Sequence, residues 1–192
     1  TGVPPSGPRL AAATWSGAVH GLDRKGQQQW KAELGANPLC MAVGGEGGHT
    51  LVGCADSTIR LLDGAGKEAW KFETGSTVLC VAASARGGTF AAGSTDTHIY
   101  LLAGSGQLLW KYRTGGVVRG VSLSESGEYV RATSHDRYLY FFERGGKLLW
   151  ITKVAPEVWT VGSTGMGESF VLGCRDNSVR MVDNAEMVKV RM

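Results

Sequence analysis

Tryptophan recurs at a fixed spacing along this chain: Trp30, Trp70, Trp110 and Trp150 are each 40 residues apart. Each tryptophan follows a glycine by four positions, and a second glycine series and an aspartate series keep the same spacing. The three series are Gly26, Gly66, Gly106 and Gly146; Gly7, Gly47, Gly87, Gly127 and Gly167; and Asp56, Asp96, Asp136 and Asp176, with Ser16 at the equivalent first position. Self-similarity at a fixed period of this length is typical of repeat architectures. The chain is therefore built from a 40-residue unit.

Within each unit the apolar residues alternate with period two, which indicates β-strands. In the third unit we expect four strands, A to D, at Val78–Ala83, Phe90–Ser94, His98–Leu102 and Gln107–Arg113. The segments between them are short and rich in Gly, Ser, Asp and Thr, which are the residues of tight hairpin turns. The 29 glycines fit a chain with many such turns. No segment shows a helical period with caps.

Four-stranded antiparallel units that repeat about every 40 residues are typical of a β-propeller. Each unit has two apolar faces and has to bury them against its neighbours. We predict an all-β fold in which residues 1–192 form a single β-propeller domain, with units at roughly 1–34, 35–74, 75–114, 115–154 and 155–192. A flat β-solenoid or a sandwich is the alternative, and four strands per repeat argues against both.

Two segments of the third unit resemble known propeller families. The segment Gly93–Leu102 (GSTDTHIYLL) resembles the third-strand region of WD-repeat proteins, and Gly106–Tyr112 (GQLLWKY) resembles the outer strand of pyrroloquinoline-quinone-type propellers. The Trp-Asp ending and the Gly-His pair of WD repeats are absent, so the hydrogen-bonded tetrad of that family is incomplete here. The resemblance covers essentially the whole chain and implies a fold, since both families host many functions.

Projecting the repeat backwards places Thr1 opposite Met41, inside strand A of the first unit. The fifth unit is degenerate, because Glu186 and Val190 replace the expected glycine and tryptophan. We therefore expect about five blades, the first without most of its inner strand. Either five blades close into a small ring, or they are part of a larger propeller, in which case association into an oligomer is possible.

The residues that recur in every unit have structural interpretations. We expect Trp30, Trp70, Trp110 and Trp150 to pack between adjacent blades, with each indole N–H bound to a carbonyl. The turn aspartates are expected to accept hydrogen bonds from their own backbone. The cysteines at positions 40, 54, 80 and 174 are expected to be small core residues, since none forms a Cys-x-x-Cys pair.

Binding residues are better sought at positions where one unit departs from the others. By the resemblance to WD-repeat propellers, two positions open onto one end of the channel: the start of strand A and the residue before the turn aspartate. At these positions the candidate partner-binding residues are Trp15, Arg119, His135, Trp159 and Arg175. Trp and Arg dominate the energetics of protein interfaces.

The sequence offers no catalytic, metal or cofactor site. The four inner strands carry no carboxylate, so the paired acids of a glycosidase are absent. The four histidines fall at different repeat positions without ligand spacing. The resemblance to quinone-dependent propellers does not extend to a cofactor site, because no vicinal cysteine pair is present.

We therefore expect a non-catalytic scaffold that binds a protein partner through the top face and channel rim. The alternatives are a propeller that binds a small ligand or carbohydrate, and a fragment of a larger quinoprotein-like enzyme. A net charge of +3 without a basic run argues against nucleic acid, and no apolar run is long enough for a membrane span. Four unpaired cysteines favour a reducing compartment such as the cytoplasm.

Overall fold

The computed structural model describes residues 10–44, 48–85, 88–155, 157–163 and 169–183, and all of their regular structure is β-strand. Several predicted features lie outside the described residues: the inner strand of the first unit, the degenerate outer strand with Glu186 and Val190, and Gly7, Gly47, Gly87 and Gly167. The described part of the chain contains no helix long and apolar enough to cross a membrane.

Eighteen strands in the described residues form five antiparallel sheets, each of three or four consecutive strands. The first sheet is β1 (Leu10–Ala13), β2 (Ala18–Leu22) and β3 (Gln28–Glu33). The second is β4 (Pro38–Gly44), β5 (His49–Cys54), β6 (Thr58–Leu62) and β7 (Glu68–Glu73). The third is β8 (Val78–Ala83), β9 (Thr89–Ser94), β10 (His98–Ala103) and β11 (Leu108–Arg113). The fourth is β12 (Val118–Leu123), β13 (Tyr129–Ser134), β14 (Tyr138–Glu143) and β15 (Leu148–Lys153), and the fifth is β16 (Val158–Ser163), β17 (Ser169–Cys174) and β18 (Val179–Asp183).

The sheets pack in chain order and bury their central strands against one another. Each sheet has a front face toward the next sheet and a rear face toward the previous one. In the second sheet the front face is Leu51, Ile59 and Leu61, and it packs on the rear face of the third sheet. That rear face is Phe90, Ala92, Tyr100 and Leu102. The same positions, offset by 40 residues, form the core between the third and fourth sheets.

The repeated tryptophans lie at these interfaces. Trp70 Nε1 donates to the carbonyl of Gly104 in the next sheet at 3.0 Å, and Trp110 Nε1 donates to that of Arg144 at 2.9 Å. Trp150 is buried against Phe141 and Phe170. Trp30 is buried as well, but its Nε1 has no hydrogen-bond partner among the described residues, so the expected bond to a carbonyl is not found there.

The turn aspartates organise the hairpin between the second and third strand of each unit. Asp96 Oδ1 accepts from the backbone N–H of His98 at 2.8 Å, as the sequence predicts. Its other oxygen accepts from the Tyr100 hydroxyl at 2.6 Å and from the backbone N–H of Gly75 at 2.7 Å, which tethers the loop entering the unit. Asp136 repeats this arrangement with Tyr140 and Gly115.

These five sheets confirm the predicted all-β fold of antiparallel blades with a repeated core. The inner strands β4 and β8 are only half-buried, whereas the second and third strands of the internal sheets are almost fully buried. The sheets thus present their inner edges side by side, since consecutive inner strands pack on one another. Side chains at the ends of these inner strands are therefore brought close together.

Candidate functional site at the upper rim

One end of the blades, which we call the upper end, is formed by two kinds of segment. These are the loops that enter each inner strand and the hairpins that carry the turn aspartates. A backbone hydrogen bond joins them in the second to fifth units. In the fourth, His135 N donates to the carbonyl of Val117 at 2.9 Å, and in the fifth, Arg175 N donates to that of Glu157 at 2.8 Å. The residue before each aspartate therefore lies beside the start of an inner strand.

The second residue of each inner strand sits at a β-bulge. Pairing shifts between Val118 and Gly120, and between Val158 and Thr160, so Arg119 and Trp159 have no partner in the ladder. The equivalent residues in the second and third sheets are Leu39 and Leu79. A bulge re-aims the side chain at the extra residue. The upper rim therefore changes from apolar on the second and third sheets to Arg and Trp on the fourth and fifth.

Three of the predicted rim residues form a chain of contacts with one carboxylate between the fourth and fifth sheets, in the order Arg119, His135, Glu157, Arg175. Arg119 Nε donates to His135 Nε2 at 2.6 Å. The same His135 Nε2 lies 3.2 Å from Glu157 Oε1. The other carboxylate oxygen of Glu157 accepts from Arg175 Nη1 at 3.1 Å. We call Arg119, His135, Glu157, Arg175 and the neighbouring Trp159 the rim cluster.

The charges of the rim cluster do not cancel. Arg119 and Arg175 bring two positive charges and Glu157 brings one negative charge, so the cluster has an excess of one positive charge when His135 is counted as neutral. His135 Nε2 can accept from Arg119 or donate to Glu157, but a single ring nitrogen cannot do both at once. The Arg175 side chain is 69% exposed while that of Glu157 is 19% exposed, so positive charge is what the cluster presents to solvent.

An exposed indole adjoins this charge. Trp159 is 58% exposed, although tryptophan usually buries most of its surface. It occupies the bulge position of the fifth sheet, two residues after Glu157 and next to the strand that carries Arg119. The remaining candidate, Trp15, is 73% exposed on the first sheet, and no hydrogen bond, ion pair or ring contact of the described residues links it to the rim cluster.

The rim cluster offers charged groups and an exposed ring to a partner. Within the described ranges no three His, Cys, Asp or Glu side chains are grouped so as to hold a metal ion. Burial raises the pKa of the Cys40 thiol to about 12 and also raises that of Cys80, which makes both poor nucleophiles at neutral pH. A surface indole beside exposed guanidinium groups is suited to recognising an anionic partner that also has an apolar or planar surface.

Comparison with known families gives one match. The model of the lambda-carrageenase β-propeller domain matches residues 9–111 of the 192-residue chain, which is more than half of it. The chain belongs to this family. No curated protein matches the chain. The segment that matches the carrageenase-type propeller ends before Arg119, so the rim cluster lies in the two units that follow it.

Glu157 is the member of the cluster that the sequence did not single out. It occupies the position of Asn37, Thr77 and Val117 in the earlier units of this carrageenase-type propeller. In the third unit Thr77 Oγ1 reaches back to the carbonyl of Ala55 in the second at 3.2 Å, as Glu157 reaches back to His135. Comparing this loop position across the units would have identified it, since only one unit has an acid there.

Proposed function

We propose that this propeller is a non-catalytic interaction scaffold that binds a protein partner through the rim cluster. The observation that carries the proposal is the exposed Trp159 on the strand next to that of Arg119, together with Glu157, which joins His135 to the exposed Arg175. Trp and Arg are the residues most enriched in interface hot spots, where they are ringed by contacts that exclude water. The proposed partner segment has carboxylates for the two guanidinium groups and an apolar or aromatic residue for the indole.

The form of the site supports a protein partner over a set of repeated small-ligand pockets. The loops entering the inner strands differ between units, and the bulge positions read Leu39, Leu79, Arg119 and Trp159. A repeated pocket needs the same side chains in each unit, whereas a single asymmetric patch is typical of a protein hot spot. The resemblance to WD-repeat propellers, whose channel ends bind protein partners, is part of the same proposal.

Absence of catalysis is also part of this proposal. The inner strands β4, β8, β12 and β16 contain no Asp or Glu. Glu157 is the one carboxylate of the rim cluster, and it contacts His135 and Arg175 rather than a second acid. Hydrolysis by a pair of carboxyl groups needs two of them at a defined separation.

Affinity capture with matched variants tests the proposed function. The tagged protein is compared with Trp159→Ala, Arg119→Ala and the control Leu109→Ala, which removes an apolar side chain of 41% exposure from an outer strand. A protein that depends on the rim cluster is retained by the wild type and the control and lost from both rim variants. Its affinity, measured by calorimetry, should fall by roughly tenfold or more in each, since hot-spot truncations cost above about 1–2 kcal/mol. Equal capture by all four forms would remove the rim cluster as a binding site.

A carbohydrate ligand is the second candidate function, and the family match favours it. The family is named for an enzyme that acts on lambda-carrageenan, a sulfated galactan whose sugar rings can stack on an indole and whose sulfates can pair with guanidinium groups. Affinity electrophoresis in lambda-carrageenan and in a neutral galactan separates the two functions. The carbohydrate is favoured over the protein partner if the sulfated polymer retards the wild type and the neutral galactan does not. The retardation should then be lost in both Trp159→Ala and Arg119→Ala.

A further inference from the structure

The front face of the fifth sheet exposes large apolar side chains. Its residues Val171, Val179 and Met181 are 38%, 75% and 72% exposed. Val171 is directly opposite Met181 in the strand pair, so the two side chains lie on the same face. Three large apolar side chains are therefore presented to solvent by neighbouring strands.

These residues occupy the positions that bury the other front faces. Offset by 40 residues, they correspond to Arg131, Leu139 and Phe141 of the fourth sheet, which pack on the fifth. Offset by 80, they correspond to residues of the third sheet, Ala91, Ile99 and Leu101, that are at most 1% exposed. The exposed patch thus repeats a docking surface that is used within the molecule.

The complementary surface is uncovered at the other end of the array. The rear face of the first sheet is formed by Leu10, Ala12, His20 and Leu22, at the positions of Phe90, Ala92, Tyr100 and Leu102. Leu10 is 53% exposed. A Cβ added to Gly26 would meet nothing within 4 Å, whereas the equivalent Gly66 and Gly106 are each covered by the tryptophan of the preceding sheet.

We propose that the front face of the fifth sheet docks onto the rear face of the first sheet of a second copy of this chain. Both halves of the contact are present in one polypeptide, and they pair at the register positions used by the internal interfaces. In the single chain both faces are exposed, so they do not cover one another. The resulting contact is head-to-tail, with different surfaces from the two copies, and it adds copies in the direction in which the blades already stack.

Mass in solution tests this contact. Light scattering after size exclusion should give a mass that rises with concentration above that of the 20.3 kDa chain. Leu10→Lys places a charge on the rear face of the first sheet, and Val179→Lys places one on the front face of the fifth. Each variant alone should therefore remain at the mass of one chain. Leu109→Lys, which adds the same charge at an exposed apolar position away from both faces, should assemble like the wild type.

Mixing the two variants gives the sharpest result. Leu10→Lys retains the front face and Val179→Lys retains the rear face, so an equimolar mixture can form one contact and then stop. The mixture should yield a species of two chains, although neither variant does so alone. Circular dichroism and thermal melting show whether each variant folds, and Met181→Lys replaces Val179→Lys if the latter does not. A wild type of one-chain mass from micromolar to near-millimolar concentration, or a mixture that stays at one-chain mass, would overturn the proposal.

Discussion

The indole of Trp70 lies directly against the backbone of Gly106 in the next sheet. A Cβ built on Gly106 would be 2.8 Å from Trp70 Cγ, closer than side chains tolerate. Gly106 has a φ of 85°, in the left-handed region that favours glycine. Trp70 Nε1 also bonds to the carbonyl of Gly104, so ring and turn are fixed together. The glycine and tryptophan series of the sequence are therefore two halves of one contact between sheets.

Replacing Gly106 by Ala should destabilise the fold for two reasons, whereas Gly26→Ala has only one of them. Both glycines have a left-handed φ, 85° and 77°, which costs an alanine roughly 1–2 kcal/mol. Only Gly106 is covered by a tryptophan, since Gly26 has open space around it. Urea unfolding should show a larger loss of unfolding free energy for Gly106→Ala than for Gly26→Ala. Equal losses would mean that the ring moves aside without cost.

The sequence predicted the repeated parts of the fold because each is specified locally. Period-two patterning and the turn residues located strands B and C of the third unit within a residue. The equal spacing of the tryptophan and glycine series follows from a contact that recurs at the first three interfaces, although the sequence did not predict that the two residues touch. Positions that differ between units were harder to interpret. Arg131 is fully buried between the fourth and fifth sheets, although arginine is usually exposed.

The rim cluster could be predicted only in part for the same reason. Arg119, His135, Trp159 and Arg175 were identified as departures from the repeat on the upper rim. Their contacts depend on the β-bulges that re-aim Arg119 and Trp159, and a bulge has no signature in a period-two pattern. Glu157 lies in a loop whose sequence varies between units, so its reach to His135 became visible only from the packing of two sheets.

Tyr100→Phe should lower the free energy of unfolding at neutral pH. As the pH rises into the alkaline range, this free energy should fall less in the variant than in the wild type. Burial, together with the hydrogen bond to Asp96, raises the pKa of Tyr100 from its ordinary value of 10 to about 12. The contribution is therefore complete below about pH 10, where the unfolded chain ionises, and is lost as the pH rises toward about 12. The phenylalanine variant loses a hydrogen bond to a carboxylate, worth about 1.5–3 kcal/mol.

Urea unfolding across this alkaline range checks the prediction. The wild type should be the more stable form at neutral pH, and the gap between it and Tyr100→Phe should narrow as the pH rises through the window. Tyr129→Phe is the control, because Tyr129 is 38% exposed and its hydroxyl makes no hydrogen bond within the described ranges. A constant gap at every pH would show that the Tyr100 hydroxyl does not titrate differently in the folded state.

Thr97→Gly should stabilise the third unit. Thr97 has a φ of 71°, a conformation that costs a non-glycine residue about 1–2 kcal/mol and is least suited to β-branched side chains. Glycine removes this strain, but it raises the entropy of the unfolded chain, which costs about 0.5–1 kcal/mol on folding. The net gain in unfolding free energy should therefore be about 1 kcal/mol or less. Asn177, at φ 64°, is the matched position, and Asn177→Gly should gain less because asparagine tolerates this region. A melting temperature that falls in Thr97→Gly would contradict the argument.

Arg131→Leu should be tolerated far better than Arg131→Ala. The guanidinium carbon lies 4.6 Å and 5.1 Å from the ring centroids of Phe141 and Phe170, and burial lowers its pKa to about 10. Leucine, which occupies the equivalent position 51, keeps most of the packing. It loses the hydrogen bond that Arg131 Nη1 donates to Ser163 Oγ at 2.9 Å but also removes a desolvated charge, so stability should change by no more than about 1 kcal/mol. Alanine leaves a cavity and should cost about 2–5 kcal/mol. If denaturant unfolding shows the same loss of unfolding free energy in Arg131→Leu as in Arg131→Ala, the charge itself stabilises the interface.

Glu157→Gln should strengthen binding of an anionic ligand at the rim cluster. The substitution removes the carboxylate that engages Arg175 and His135, so both become available and the local positive charge rises by one. Stability should change by no more than about 1 kcal/mol, because Arg175 is largely exposed and solvent screens its attraction to Glu157. Calorimetry with lambda-carrageenan or with the identified acidic partner should show a several-fold gain in affinity that shrinks as salt is added. Glu33→Gln makes the same charge change in an ion pair with Lys31 on the first sheet. An equal gain in that control would assign the effect to net charge, and a loss of affinity in Glu157→Gln would mean that the carboxylate positions the arginines for binding.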